Sequence, residues 1–224
     1  MSDATAPEHS LRRMAAQETL FASRPSRLEL LGLSLDRPSG PARRINIWRN
    51  HAIETLLTLA QPYLDWADLA LDPWLSGYDD SLSFAEHAPA ELELLWLDGS
   101  RLPAEAEWLA GRIAALRAMS RAPILLLSTL PSVAAGIDVQ VADLAGVCET
   151  AGVPLLDMRL AKMAGSPLSA AAQSVLAREL ACRWLPALLL PPVKAVAVDL
   201  DHTLYAGVLG EDGADGVLLT LGHE

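Results

Sequence analysis

The sequence has few of the features that mark several large classes of protein. It contains only two cysteines, Cys148 and Cys182, with no metal-ligand spacing, and neither has a context that marks it as reactive. Basic residues are scarce, since 17 Lys and Arg face 28 Asp and Glu for a formal net charge of -11. A nucleic-acid binder needs a basic face, so this class is excluded. The sparse cysteines fit a reduced, cytoplasmic protein.

The sequence also lacks a clear membrane span and a signal peptide. Its longest apolar tract, residues 185–198, is broken by three prolines and by Lys194. Residues 1–5 contain no basic stretch followed by an apolar one. We therefore expect a cytoplasmic protein with neither a membrane nor a nucleic acid among its partners.

Hydrophobic residues are abundant, at 51%, and they are arranged in alternating strand and helix patterns. The patterns predict strands over residues 44–48, 66–71, 92–97, 123–127 and 153–156. They predict helices over residues 52–64, 103–120, 139–151 and 169–184, the last capped by Ser169. This alternation predicts a three-layer parallel α/β domain over residues 41–188. Residues 1–40 are expected to be a partly disordered lead-in with a short helix near residues 10–22, and the six tryptophans are expected to pack in the core.

The segment richest in chemistry lies near the C-terminus. An apolar run from Ala195 to Val198 predicts a buried strand, and it is followed by Asp199, Asp201 and Thr203. Residues two apart in an extended chain project to the same side. The carboxyl ends of parallel strands are where α/β proteins bind ligands, and Mg²⁺ prefers oxygen donors. The pattern therefore indicates a magnesium site.

Residues 199–213 read DLDHTLYAGVLGEDG. This segment resembles motif I and the following flap of the FkbH-like (HAD-IIIC) branch of the haloacid dehalogenase (HAD) superfamily, whose usual form is DLDNTLWGGVxGEDG. His202, Tyr205 and Ala206 replace the Asn, Trp and Gly of that form. The resemblance implies that residues 193–224 form the first strand and the flap hairpin of a HAD Rossmann-like domain. It also implies that the preceding domain is SGNH-like, with a flavodoxin-like three-layer sheet.

The same resemblance implies a role for each motif residue. Asp199 would be the nucleophile toward phosphorus and a Mg²⁺ ligand, and Asp201 the general acid and base with its backbone carbonyl on the metal. Thr203 would bind the phosphate of a phosphorylated small molecule. FkbH-like relatives load a glyceryl unit onto an acyl carrier protein in polyketide-type biosynthesis. The alternative interpretation is two acids in an ordinary strand-end turn.

A HAD active site also needs a later Ser or Thr, a Lys and further acids, and the residues after the flap are too few to supply them. We therefore expect this chain to be part of a larger phosphatase and to be inactive, or nearly so, in isolation. The alternative function is a non-catalytic binding module that recognises a carrier protein or a partner domain. An acidic carrier would need a basic surface, for which Arg43, Arg44 and Arg49 are the candidates.

The α/β domain carries Arg49-Asn50-His51 where an SGNH hydrolase would carry its Gly-Asp-Ser nucleophile. No serine is present there, and only Gln173 occurs in the region where the DxxH histidine is expected. A hydrolytic triad is therefore not predicted, and a structural role is assigned to His51. Asp98 and Asp157 are expected to cap helices or to hydrogen-bond loops. An active esterase would need a serine close to one of these three residues.

Overall fold

The computed structural model describes residues 5–22, 25–78, 81–103, 106–129, 139–159, 165–195 and 197. Contacts divide the chain into two compact units, Met1–Leu190 and Pro191–Glu224. The described residues of the second unit, 191–195 and 197, form neither helix nor strand. The first unit contains the following elements in chain order: α1 Thr5–Leu20, α2 Arg27–Gly32, β1 Arg43–Arg49, α3 Glu54–Trp66, β2 Leu71–Leu75, a 3-10 turn Ser81–Ser83, β3 Leu92–Leu97, a 3-10 turn Gly99–Arg101, α4 Ala106–Met119, β4 Ile124–Ser128, β5 Val139–Ala142, α5 Leu144–Thr150, α6 Ala170–Glu179, a π-helical turn Leu180–Trp184 and α7 Leu185–Leu189.

Within the described residues, the sheet has five parallel strands in the order β2-β1-β3-β4-β5. This is the strand order of flavodoxin-like doubly wound folds. Parallel strands covered on both faces read as continuous apolar runs, and every residue of β3 and of β4 is buried. The predicted parallel α/β fold class is confirmed.

Successive residues of each strand face two separate cores, because side chains alternate across a sheet. The first core joins Ile47 and Leu125 of the sheet to Leu56 of α3 and Leu176 of α6. The second core lies on the opposite face, against α4 and the segment after β2. Its buried members are Trp48, Leu82, Phe84, Leu95, Leu97, Leu109, Ile113, Leu116, Ile124 and Leu126.

The N-terminal helices belong to the first core. Leu20 of α1 and Leu30 of α2 are both fully buried there. The helix predicted near residues 10–22 is present and begins earlier, at Thr5. The lead-in predicted for residues 1–40 therefore contains two helices that carry apolar residues into the core. None of the helices in the described ranges is both long and apolar enough to cross a bilayer.

The strand predicted over residues 66–71 is wrong, because α3 continues to Trp66 and β2 begins only at Leu71. Asp68 lies between them with a φ of 54°, a left-handed conformation that ends the helical path. The strand β2 contains Pro73, which breaks the usual strand pattern in the sequence. An edge strand tolerates such a proline, and β2 lies at the edge of the sheet.

The helix predicted from residue 139 is also wrong in its first part. Residues Val139–Ala142 form the edge strand β5, and the helix starts only after Asp143, whose side chain accepts a hydrogen bond from the Gly146 N–H. The strand predicted over 153–156 is reduced to an isolated bridge between Leu156 and Leu168. Short apolar segments at the margin of a sheet carry too little periodicity to separate strand from helix.

The predicted N-cap at Ser169 is confirmed, and it supports a stability test. Its Oγ accepts a hydrogen bond from the Ala172 N–H at 3.0 Å and donates one to the Pro154 carbonyl, and the residue is only 6% exposed. We expect Ser169→Ala to lower the free energy of unfolding by about 1–3 kcal/mol, because both partners lose their bond in a buried place.

The matched control is Ser26→Ala. Ser26 caps the short helix α2 from an exposed position, with a single longer bond of 3.4 Å from the Glu29 N–H. We expect this control to cost about 0.5 kcal/mol. Urea unfolding followed by far-UV circular dichroism measures both variants, and equal losses would contradict the burial argument.

Candidate functional site

The motif residues Asp199, Asp201 and Thr203 lie outside the described residues, as does the predicted flap. Of the strand predicted before them, only residues 195 and 197 are described. Within the described ranges, no group of three or more His, Cys, Asp or Glu side chains could hold a metal ion. The magnesium ligands named from the sequence therefore stay predictions.

In the first unit, polar side chains gather at the carboxyl ends of β1 and β3. Asn50, directly after β1, donates from Nδ2 to the Asp98 carbonyl at 3.1 Å, and its Oδ1 accepts from the Asp98 N–H at 2.7 Å. Its own carbonyl accepts a bond of 2.9 Å from Nη1 of Arg101. The amide of Asn50 is therefore committed to holding the two strand ends together.

Asp98 caps the short turn after β3, as predicted for this strand-end carboxylate. Its Oδ1 accepts from the N–H of Ser100 at 3.0 Å and from the Ser100 hydroxyl at 2.8 Å. Its Oδ2 lies 3.2 Å from Nε of Arg101. Both oxygens of this carboxylate are thus occupied by neighbours within its own turn.

His51 lies beneath this edge and is only 1% exposed. Its ring stacks on Trp96 with centroids 4.7 Å apart, and Nδ1 is 3.1 Å from Oγ of Ser166. Burial lowers the pKa of His51 to about 4, although the Asp98 carboxylate acts in the opposite direction and Arg101 adds to the lowering. The imidazole is therefore neutral near pH 7.

The pair of His51 and Ser166 brings together a serine and a histidine that the sequence separates by 115 residues. It still does not make a hydrolytic triad. Both side chains are buried, at 1% and 4% exposure, so a substrate cannot reach them. Among the described residues no carboxylate hydrogen-bonds to the imidazole, and a base with a pKa of about 4 accepts a proton poorly at neutral pH. The structural role predicted for His51 fits this geometry.

Four other side chains that were considered from the sequence also have structural surroundings. Asp157 accepts from the N–H of Arg159 at 3.0 Å, and Gln173 donates to the Leu168 carbonyl at 3.2 Å from a buried position. Burial raises the pKa of each of the thiols of Cys148 and Cys182 to about 11. Neither thiol forms a thiolate at neutral pH, which agrees with the absence of a reactive cysteine.

The arginines proposed as a basic surface do not form one cluster. Arg43 begins β1 and Arg49 ends it, so about 20 Å of strand separates them. Arg43 pairs with Glu91 at 2.7 Å and Arg44 pairs with Asp72 at 2.9 Å. Arg49 pairs with Glu54 and also lies over the ring of Tyr78, with its guanidinium carbon 4.5 Å from the ring centroid. Each positive charge is already compensated by a neighbour.

Sequence reasoning missed a polar cluster on the second face of the sheet, around Glu93 of β3. This carboxylate is 0% exposed. Its Oε2 accepts from Nε1 of Trp48 at 2.7 Å, and its Oε1 lies 2.9 Å from Nε2 of His87 and 3.4 Å from Nδ2 of Asn46. The signal was available, since Glu93 is the only charge inside the apolar run Leu-Glu-Leu-Leu-Trp-Leu.

Comparison with known proteins rests on structure alone. Neither a protein-family model nor a curated protein matches the sequence. The crystal structure of the N-terminal part of the protein BF1531 from Bacteroides fragilis, described as containing a phosphatase domain complexed with Mg, is similar to this chain. The TM-score is 0.56 at 13% sequence identity, over 93% of this chain and 66% of that chain. The chain thus spans about two thirds of that structure, and the likeness establishes the α/β fold.

The buried imidazole predicts a specific pH dependence of stability. Between pH 6.5 and about 4 the unfolded chain binds a proton on His51 that the folded chain excludes, so the free energy of unfolding falls as the pH is lowered through this window. The expected loss is about 3 kcal/mol in total. Urea unfolding at several pH values between 7 and 4 measures it.

His51→Asn provides the control, because an amide can bond to Ser166 without titrating. The variant is expected to be less stable at pH 7 and to lack this part of the pH dependence. The same slope in the variant and the wild type would show that other groups are responsible.

The cluster around Glu93 gives a second test. Glu93→Gln replaces one of two acceptor oxygens by an N–H₂ group that faces either Trp48 or His87, and we expect a loss of about 2–4 kcal/mol in the free energy of unfolding. Glu91→Gln is the matched control, because this exposed partner of Arg43 should change stability by less than about 0.5 kcal/mol. Denaturant unfolding followed by tryptophan fluorescence compares them, and a small loss for both would refute the assigned role.

Proposed function

We propose that this chain contributes an auxiliary α/β domain and the first catalytic segment to a magnesium-dependent phosphatase of the haloacid dehalogenase type. The observation that carries the proposal is the motif Asp199-Leu-Asp-His-Thr203, which follows directly on the α/β unit. The similarity in fold to a structure described as containing a phosphatase domain complexed with Mg supports the same conclusion.

The donor chemistry of the motif fits a hard divalent cation, because Asp199 offers a carboxylate oxygen and Asp201 a backbone carbonyl oxygen. These two residues would hold Mg²⁺, and the carboxyl group of Asp201 would remain available for proton transfer. When bound, the ion supplies positive charge that reduces repulsion between the acids and a phosphate group.

The reaction divides between the side chains of the motif. The carboxylate of Asp199 attacks phosphorus and forms an aspartyl-phosphate as the bond to the leaving oxygen breaks. Asp201 gives its proton to that oxygen and then takes a proton from the water that hydrolyses the aspartyl-phosphate. Thr203 donates its hydroxyl to a phosphate oxygen. Residues 199–213 support a finer proposal, in which an FkbH-like protein loads a glyceryl unit onto an acyl carrier protein.

A second candidate function is a non-catalytic binding module. The observation that favours it is that the polar groups at the carboxyl ends of β1 and β3 are already occupied. Asn50 and Asp98 bond to each other, and His51 and Ser166 are buried. This arrangement provides no hydrolytic chemistry of its own. In the first proposal the α/β unit serves as a non-catalytic scaffold domain, and in the second it presents a surface to a carrier protein or a partner domain.

Metal binding tests the first proposal directly. Titration of the protein with Mn²⁺, followed by electron paramagnetic resonance, should detect a site that Mg²⁺ competes for. We expect Asp199→Asn to weaken it by about tenfold or more, because the change removes a charged oxygen donor, whereas Asp201→Asn should weaken it much less, because the backbone carbonyl of residue 201 remains. Any magnesium-dependent release of phosphate from an aryl phosphate is expected to vanish in Asp199→Asn.

Glu149→Gln removes one exposed carboxylate of α5 and serves as the charge-matched control. It should leave metal binding unchanged. Equal affinities in the wild type and in Asp199→Asn, or phosphate release that survives in Asp199→Asn, would overturn the assignment.

A further inference from the structure

A small cavity lies on the second face of the sheet, in a place that the proposed phosphatase chemistry does not use. Its volume is about 150 Å³, and it is lined by Trp48, Trp74, Glu86 and small residues of the segment after β2. We propose that this cavity binds an alkylated ammonium group, the chemical class that includes the heads of choline and of trimethyl-lysine.

The walls of the cavity suit a cation without hydrogen-bond donors. The indole of Trp74 is half-buried and offers surface to the cavity, whereas the indole of Trp48 is only 1% exposed and meets Trp74 at 66° with the ring centroids 5.0 Å apart. A cation near such rings is attracted by their negative faces, and tryptophan gives the strongest attraction of the aromatic residues. An alkylated ammonium gains more binding free energy than a primary ammonium does, because it gives up no hydrogen bonds to water when it enters the cavity.

The electrostatic surroundings favour the same ligand. Nε1 of Trp48 donates to the buried carboxylate of Glu93 at 2.7 Å, and a donor bonded to an anion pushes electron density into its own ring. Glu86 is exposed and lines the cavity, and no Lys, Arg or His lines it among the residues that the structure describes. Arg49 bonds to the carbonyl of Ser76, which lines the cavity, and its charge is paired with Glu54. The field in the cavity is therefore set by carboxylates and indoles.

The segment beside the cavity is held in one conformation. Phe84 has a φ of 58°, which is a costly backbone conformation for a bulky side chain. Its ring is 2% exposed and meets Trp48 edge to face at 5.0 Å. This packing fixes the neighbouring Ala85 and Glu86, so that the cavity exists before a ligand arrives.

The dimensions set the size of the ligand. A cavity of 150 Å³ holds a molecule of about the size of benzene. A trimethylammonium head is of that order, whereas a nucleotide or a sugar phosphate is too large. Gly77, Ser83 and Ala85 line the cavity and are exposed, so the chain attached to the head can leave toward solvent.

Nuclear magnetic resonance of the ¹⁵N-labelled full chain tests the proposal. The indole N–H signals of Trp48 and Trp74, assigned with tryptophan-to-phenylalanine variants, are followed during titration with choline chloride. We expect saturable shifts of both signals. The neutral isostere 3,3-dimethylbutan-1-ol should bind about fivefold or more weakly, because it has the same shape and no charge. A trimethyl-lysine amide and free lysine amide, titrated separately, distinguish a methylated side chain from choline as the natural source.

Two variants and a control complete the design. Trp74→Leu should weaken choline binding by about tenfold, and Glu86→Gln by about threefold, whereas Glu149→Gln should leave it unchanged. Equal binding of choline and its neutral isostere would show an apolar void and overturn the proposal. Absence of saturable shifts below about 50 mM choline would also overturn it. These readouts do not involve Asp199, so their failure is distinct from failure of the phosphatase proposal.

Discussion

A carboxylate enclosed by apolar side chains must be surrounded by hydrogen-bond donors, and this requirement determines the packing on the second face of the sheet. Glu93 is the carboxylate, and it lies in β3 with no exposed surface. Two of its partners, Asn46 and Trp48, lie on the same face of β1. The third, His87, comes from the segment after β2, which packs on this face. The path of that segment then places Phe84 against Trp48 and leaves the cavity beside it.

The sequence was most informative where burial is complete. The strands β3 and β4 were predicted within a residue, because a parallel strand buried on both faces leaves a short continuous apolar run. The strand β1 was predicted equally closely from the alternation of Ile45, Asn46 and Ile47. The edge strands β2 and β5 were missed or displaced, because each has one unpaired side and tolerates Pro73 or Gln140. Local pattern alone could not distinguish these segments from loop and helix.

In the candidate site, too, features set by neighbouring residues could be predicted from the sequence, whereas contacts between residues far apart in the chain could not. Capping by Asp98 and Ser169 depends on neighbouring residues and was predicted from the sequence. The contact between His51 and Ser166 joins residues far apart in the chain, so only the fold could show it. The lowered pKa of His51 follows from that enclosure. For the motif at Asp199, the chemistry of the residue types carries the argument, because its geometry lies outside the described residues.

The side chain of Asn50 has a consequence beyond its own bonds. Its two hydrogen bonds, to the carbonyl and from the N–H of Asp98, copy the reciprocal pair that two facing residues exchange in an antiparallel sheet. The side-chain amide therefore replaces a backbone hydrogen-bond partner. It extends the pairing of β1 with β3 by one residue after the main chain of β1 has turned away. The chain is then free to direct His51 inward without letting the two strands spread. Aspartate could not donate the bond to the Asp98 carbonyl, and the side chain of glutamine is one methylene longer. Asparagine is therefore the residue that fits both hydrogen bonds.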